Sequence, residues 1–86
     1  MYRVLAEFLG TFLLVAVVSY TSNPYLIGGA LATGVLLAGP VSGGHLNPAV
    51  SVWAFLSGKI PSGTFLKYIT AQGLAGTSVF ILQKLL

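Results

Sequence analysis

The sequence predicts an all-α membrane protein with three transmembrane helices and one shorter helix that re-enters the bilayer without crossing it. Hydrophobic residues fill 56% of the 86 positions and charged residues only 6%, against about 25% charged in an ordinary soluble domain. Three apolar stretches are long enough to span a bilayer. A fourth is about half that length and opens on Asn47-Pro48. A small soluble fold needs a polar skin over much of its surface, and four basic residues with one acidic one do not supply it. Disorder is excluded as well, since it needs low hydrophobicity and high charge.

The first span covers about residues 4–20, with Glu7, Gly10, Thr11 and Ser19 inside it. Roughly 17 to 25 residues suffice to cross. A signal peptide is the rival reading, with Arg3 as its basic start and Leu13 to Val18 in its apolar core. Glu7 within the segment and the lack of a small-x-small cleavage site speak against it. Thr21-Ser22-Asn23-Pro24 is a turn signal. So short a link sets the second span, about residues 25–39, antiparallel to the first. Ala30, Gly34 and Ala38 recur at spacing four and give it a small face for close helix contact.

Gly39 to His45 contains three more glycines and Pro40, and it breaks the helix; the re-entrant segment is placed at about residues 40–57. Asn is a good N-cap and Pro suits the first helical position, so a helix starts at Pro48 and runs to about Leu56. At 1.5 Å per residue it is about 14 Å long, roughly half of a ~30 Å hydrocarbon core. It shows no polar side, which disfavours a helix lying in the interface. Irregular backbone at membrane depth survives only where protein buries it or where it lines a wet cavity. The last span is about residues 65–86, with Ala71 and Ala75 on a small face and Gln72 among them.

Several functions are excluded. Without Cys there is no disulfide and no thiolate metal site. One His and one acid leave no two-carboxylate catalysis and no metal cage. We therefore expect no enzyme, metal or cofactor. Arg3, Lys59, Lys67 and Lys84 are scattered, unlike a nucleic-acid patch, and fit interface anchors. Three of them fall at one side of the membrane and Lys84 at the other, which puts the N-terminus in the cytoplasm by the positive-inside rule.

The stretch Ser42-Gly43-Gly44-His45-Leu46-Asn47-Pro48-Ala49-Val50-Ser51 resembles the first Asn-Pro-Ala loop of the aquaporin and glycerol-channel family. Ala6-Glu7-Phe8-Leu9-Gly10-Thr11-Phe12 resembles its first-helix signature, and Tyr68-Ile69-Thr70-Ala71-Gln72 the start of its third helix. The three occur in order across nearly the whole chain. The resemblance implies half of an inverted repeat, a single unit over residues 1–86. The family's second Asn-Pro-Ala, and the Arg after it, are not in these residues. The implied activity is passive flow of water or of small neutral solutes such as glycerol, with a second half needed to complete the pore. That half is expected from a longer chain, a separate partner or another copy. A non-conducting structural module in the bilayer is the alternative.

Site residues follow by position. Asn47, Pro48 and Ala49 form the motif; Asn47 caps the half-helix and presents an NH₂ donor to the pore, where the helix end adds about +0.5 charge. Positive half-helix ends of this kind exclude cations and protons in aquaporin-type pores. Gly43, Gly44 and His45 are expected to line the pore through backbone carbonyls. Ile27 is the filter candidate by register. Glu7 and Gln72 are expected to brace the loop. For Glu7 a proton relay is the rival, though only His45 is available as a second member. Thr11 is expected to pack between helices, and Trp53 and Phe55 to lie in the core or against lipid.

Overall fold

A computed structural model describes residues 1–86 as four helices: α1 (Tyr2–Tyr20), α2 (Pro24–Ser42), α3 (Pro48–Leu56) and α4 (Ser62–Leu85). There are no strands. Three of the helices, α1, α2 and α4, are long and apolar enough to cross a membrane. Their outer faces carry a belt of exposed Leu, Val, Ile and Phe side chains. In water such a surface would aggregate; in a bilayer it meets its own kind. The longest dimension is 38 Å, which clears a hydrocarbon core of about 30 Å.

Helix α1 is central and packs along both α2 and α4, while α3 packs on α4. Gln72 Nε2 donates to Glu7 Oε1 at 3.0 Å, and Gln83 Nε2 reaches the Ser19 carbonyl at 3.5 Å. Pairs 12 and 11 residues apart on the two helices fix α1 and α4 as parallel. Helix α2 runs antiparallel to α1. Its start is capped by Asn23, whose Oδ1 accepts from Tyr25 N at 2.8 Å and Leu26 N at 3.3 Å. The buried face of α2 is Ala30, Gly34, Ala38 and Ser42, and that of α1 is Glu7, Gly10 and Thr11. Small residues on both sides let the two backbones approach; without a hydrophobic driving force in lipid, close packing holds such a pair.

Several boundaries differ from the sequence reading. Helix α2 does not break at Gly39-Pro40 but continues to Ser42. Pro40 removes one intrahelical bond, yet it lies exposed in the last turns of the helix. What ends the helix is Gly43, at φ 93°, a left-handed conformation that glycine takes without strain. Its N–H closes on the Gly39 carbonyl at 2.9 Å. The irregular backbone is therefore shorter than expected, Gly43 to Asn47. Helix α4 begins at Ser62 and not near Phe65, and α1 at Tyr2 and not near Val4.

Candidate functional site

After Ser42 the chain turns back into the bundle. A Cβ on Gly44 would lie 3.2 Å from Gly39 N and 3.3 Å from the Val35 Cα, so this segment runs directly against the α2 backbone. Two residues on, Leu46 fills a socket between α1 and α2. A Cβ on Gly34 would stand 2.6 Å from Leu46 Cδ1, and one on Gly10 would collide with Cδ2. Gly10 is the ninth residue of the 19 in α1, and Gly34 the eleventh of the 19 in α2. Leu46 thus marks the mid-height of two spanning helices. It holds a left-handed φ of 54°, uncommon outside glycine, and is only 2% exposed. Sequence reading did not single it out.

Helix α3 begins at this depth and returns. Asn47 Oδ1 accepts from Ala49 N at 2.7 Å, and Pro48 takes the first helical position. Because Oδ1 makes the cap, Nδ2 is left as a donor without a protein partner on an exposed residue. On the way back Ser51 and Ala54 face α4, and Phe55 stacks on Phe65 with ring centroids 4.9 Å apart. Trp53 is largely exposed, with Lys59 Nζ 5.5 Å from its ring.

One carboxylate joins these parts. Glu7 is fully buried. Its Oε2 accepts from Ser42 Oγ at 2.6 Å and from His45 N at 3.0 Å. Its Oε1 accepts from Leu46 N at 2.8 Å and from Gln72 Nε2 at 3.0 Å. Four donors aimed at two oxygens use the full acceptor capacity of a carboxylate. Gln72 also donates to Ser51 Oγ at 3.0 Å, and Ser51 Oγ lies 2.8 Å from His45 Nδ1. Tyr68 OH donates to the Ser42 carbonyl at 2.8 Å, and its ring meets the His45 ring edge-on at 5.1 Å. Ser42, Ser51 and Tyr68 belong to this network; the sequence placed them in the matching stretches but gave them no bracing role, because their partners are fixed only by the fold.

The same bonds orient the carbonyls. In a trans peptide the N–H of one residue and the C=O of the residue before it point opposite ways, and no peptide here is cis. Gly44 N donates to Ser42 Oγ, and His45 N and Leu46 N donate to Glu7. The carbonyls of Gly43, Gly44 and His45 are therefore turned away from the bracing network, and none accepts a hydrogen bond from the protein. Of the residues expected at the site, the structure brings Glu7, Gln72, Gly43, Gly44, His45 and Asn47 into one cluster. Ile27 is elsewhere: it is half-buried in the first turn of α2, about 22 Å along that helix from Ser42 at 1.5 Å per residue. Thr11 is buried between helices, and its hydroxyl has no partner.

A helical membrane protein with a re-entrant loop, tipped by a short helix at the mid-height of its spans, has the architecture of membrane transport proteins. The sequence narrows the class. The major intrinsic protein family matches residues 1–85, and the chain belongs to that family, whose members are channels and not enzymes. It is 42% identical over 84 residues to Aquaglyceroporin-2 of Rhizophagus irregularis, covering 80% of this chain and 27% of that protein. It is 38% identical over 96 aligned positions to Aquaglyceroporin AqpS of Rhizobium meliloti, covering 90% of this chain and 41% of the relative. With Aquaporin-10 of Milnesium tardigradum it shares 40% identity over 83 residues, 79% of this chain and 20% of the other. The chain thus spans between 20% and 41% of the length of these relatives. No solved structure matches it at a significant level.

Proposed function

We propose that these residues form one half of a passive channel for water or small neutral solutes such as glycerol. A second, inverted half completes the pore. It comes from a longer chain, a separate partner or another copy. One observation supports this most: three successive carbonyls, of Gly43, Gly44 and His45, lack protein partners beside an unpartnered Asn47 amide. Such groups are costly against lipid and stable against water. They make a ladder of acceptors leading to a donor, which suits a single file of molecules that both donate and accept. Asn47 is read as the midplane donor with Pro48 and Ala49 completing the motif, Glu7 and Gln72 as the brace, and Ile27 as a wall of the outer filter. Relatives named as aquaporins and as aquaglyceroporins both match, so water and glycerol are carried as joint substrates.

Stopped-flow osmotic swelling of proteoliposomes tests the reading. Added permeability to water or glycerol over that of empty vesicles is the expected result. Permeability equal to that of empty vesicles, from a folded and inserted protein assembled with its second half, refutes it. Orientation is proposed with the N-terminus in the cytoplasm. The exposed Ser22, between α1 and α2, should then react as Ser22→Cys from outside the cell. Labelling from inside would reverse the assignment.

A further inference from the structure

We propose that the groove between α1 and α4 at the Lys67 end binds an anionic phospholipid, with the phosphate on Lys67 and an acyl chain in the groove. This does not depend on the transport reading. The groove has a volume of ≈ 470 Å³, and Leu5, Phe8, Leu66 and Leu74 form much of its wall. Of four surface grooves it is the one lined by a lysine, and Met1, which carries the N-terminal ammonium, lies in its wall as well. Thr70 lies in the wall too, but its hydroxyl donates to the Leu66 carbonyl at 2.7 Å and so is already satisfied.

The lysines differ in what they touch. Lys59 Nζ lies 5.5 Å from the Trp53 ring centroid, and Lys84 Nζ lies 5.5 Å from that of Phe80. Lys67 has no aromatic face. Nor is a carboxylate available, since the only acid, Glu7, is fully buried and saturated by loop and Gln72 donors. An unneutralised ammonium at the rim of a hydrocarbon-lined slot complements an amphiphile with an anionic head and an apolar tail. Lys reaches such a head from the end of a span by extending its stem along the apolar surface.

The test uses the purified protein in neutral detergent, titrated with equal amounts of phosphatidylglycerol and phosphatidylcholine of matched chains and read by native mass spectrometry. One phosphatidylglycerol should be retained per chain, preferred by about fivefold, the factor one lysine beside an anionic lipid contributes. Lys67→Gln should cut the preference about fivefold, with anything left over carried by the Met1 ammonium in the same wall. Lys67→Arg should keep it, as should Lys59→Gln and Lys84→Gln. Thr70→Phe, which fills the slot and leaves the charge, should lose both lipids, with circular dichroism confirming that the helices persist. Equal retention of the two lipids by the wild type, or a preference unchanged by Lys67→Gln, overturns the proposal. Displacement of phosphatidylglycerol by an equal concentration of inorganic phosphate overturns it too, because the ligand would then be a bare anion.

Discussion

Replacing Glu7 separates two kinds of loss. Glu7→Leu removes both acceptor oxygens at once. Two of the four donors have a fallback: Ser42 Oγ lies 3.2 Å from the Ala38 carbonyl, and Gln72 Nε2 keeps Ser51 Oγ at 3.0 Å. His45 N and Leu46 N have none. A buried donor left unpaired costs about 1–3 kcal/mol, so the two together cost about 2–6 kcal/mol. Glu7→Gln behaves differently. Its carbonyl oxygen, set in the Oε1 position, still accepts from Leu46 N and Gln72 Nε2. Its NH₂, in the Oε2 position, faces Ser42 Oγ, which can turn to accept, and His45 N, which cannot. One orphan remains, at about 1–3 kcal/mol. The expected order of folded yield and thermal unfolding in detergent is wild type, then Gln, then Leu. The second step should be worth roughly a further tenfold in the folded-to-unfolded ratio for each 1.4 kcal/mol. Equal losses for the two variants would mean that the carboxylate does not hold the loop by counted hydrogen bonds, and the bracing account would be wrong.

The Leu46 socket predicts a sign change. Gly34→Ala drives a Cβ to 2.6 Å from Leu46 Cδ1 and should destabilise by about 1–3 kcal/mol; in a Leu46→Ala background the same methyl enters the space the leucine has left and should restore stability. Additive effects on thermal unfolding would show that the two groups are not in contact. Tyr68→Phe removes the donor to the Ser42 carbonyl, 2.8 Å away, and should cost about 0.5–1.5 kcal/mol. No change in unfolding temperature for that variant would remove the bond from the account of how α2 is tied to α4.

The spans and the short helix were legible because each rests on local chemistry. Length and apolar content define a crossing segment, and Asn-Pro announces a helix start wherever it occurs. The end of α2 was misread for a local reason as well. Pro40 and Gly43 are both breakers, and the sequence does not say which the bundle obeys. Pro40 faces outward and is tolerated, while Gly43 takes the left-handed turn. Leu46 was invisible for a different reason. It is one leucine in an apolar chain, and its importance lies in Gly10, 36 positions before it, and Gly34, 12 before it, which leave the room it fills. Glu7 could be flagged because a lone acid in a span demands a partner. Its partners could not be counted, because two of them are backbone N–H groups whose direction exists only once the loop has folded.

The choice of amide at position 47 can be tested apart from its role as a cap. Asn and Asp cap helices about equally well, and the positive end of the α3 dipole favours a negative charge there by about 0.3–1 kcal/mol. On stability alone Asp would serve at least as well. What Asp cannot supply is the second half of the side chain. Asn47 spends Oδ1 on Ala49 N and still has Nδ2 to donate, whereas an ionised Asp is an acceptor only and adds an anion where the half-helix end presents a positive potential. Asn47→Asp should therefore fold as well as the wild type. In an assembly that conducts water it should admit cations that the wild type excludes, read as a rise in sodium or proton leak across proteoliposomes at unchanged protein content. Unchanged leak in a conducting assembly would reduce Asn47 to a helix cap and remove it from the pore. A fall in folded yield without any change in leak would count against the equivalence of the two caps, and with it the physical reason for reading the amide as a donor to the transported molecule.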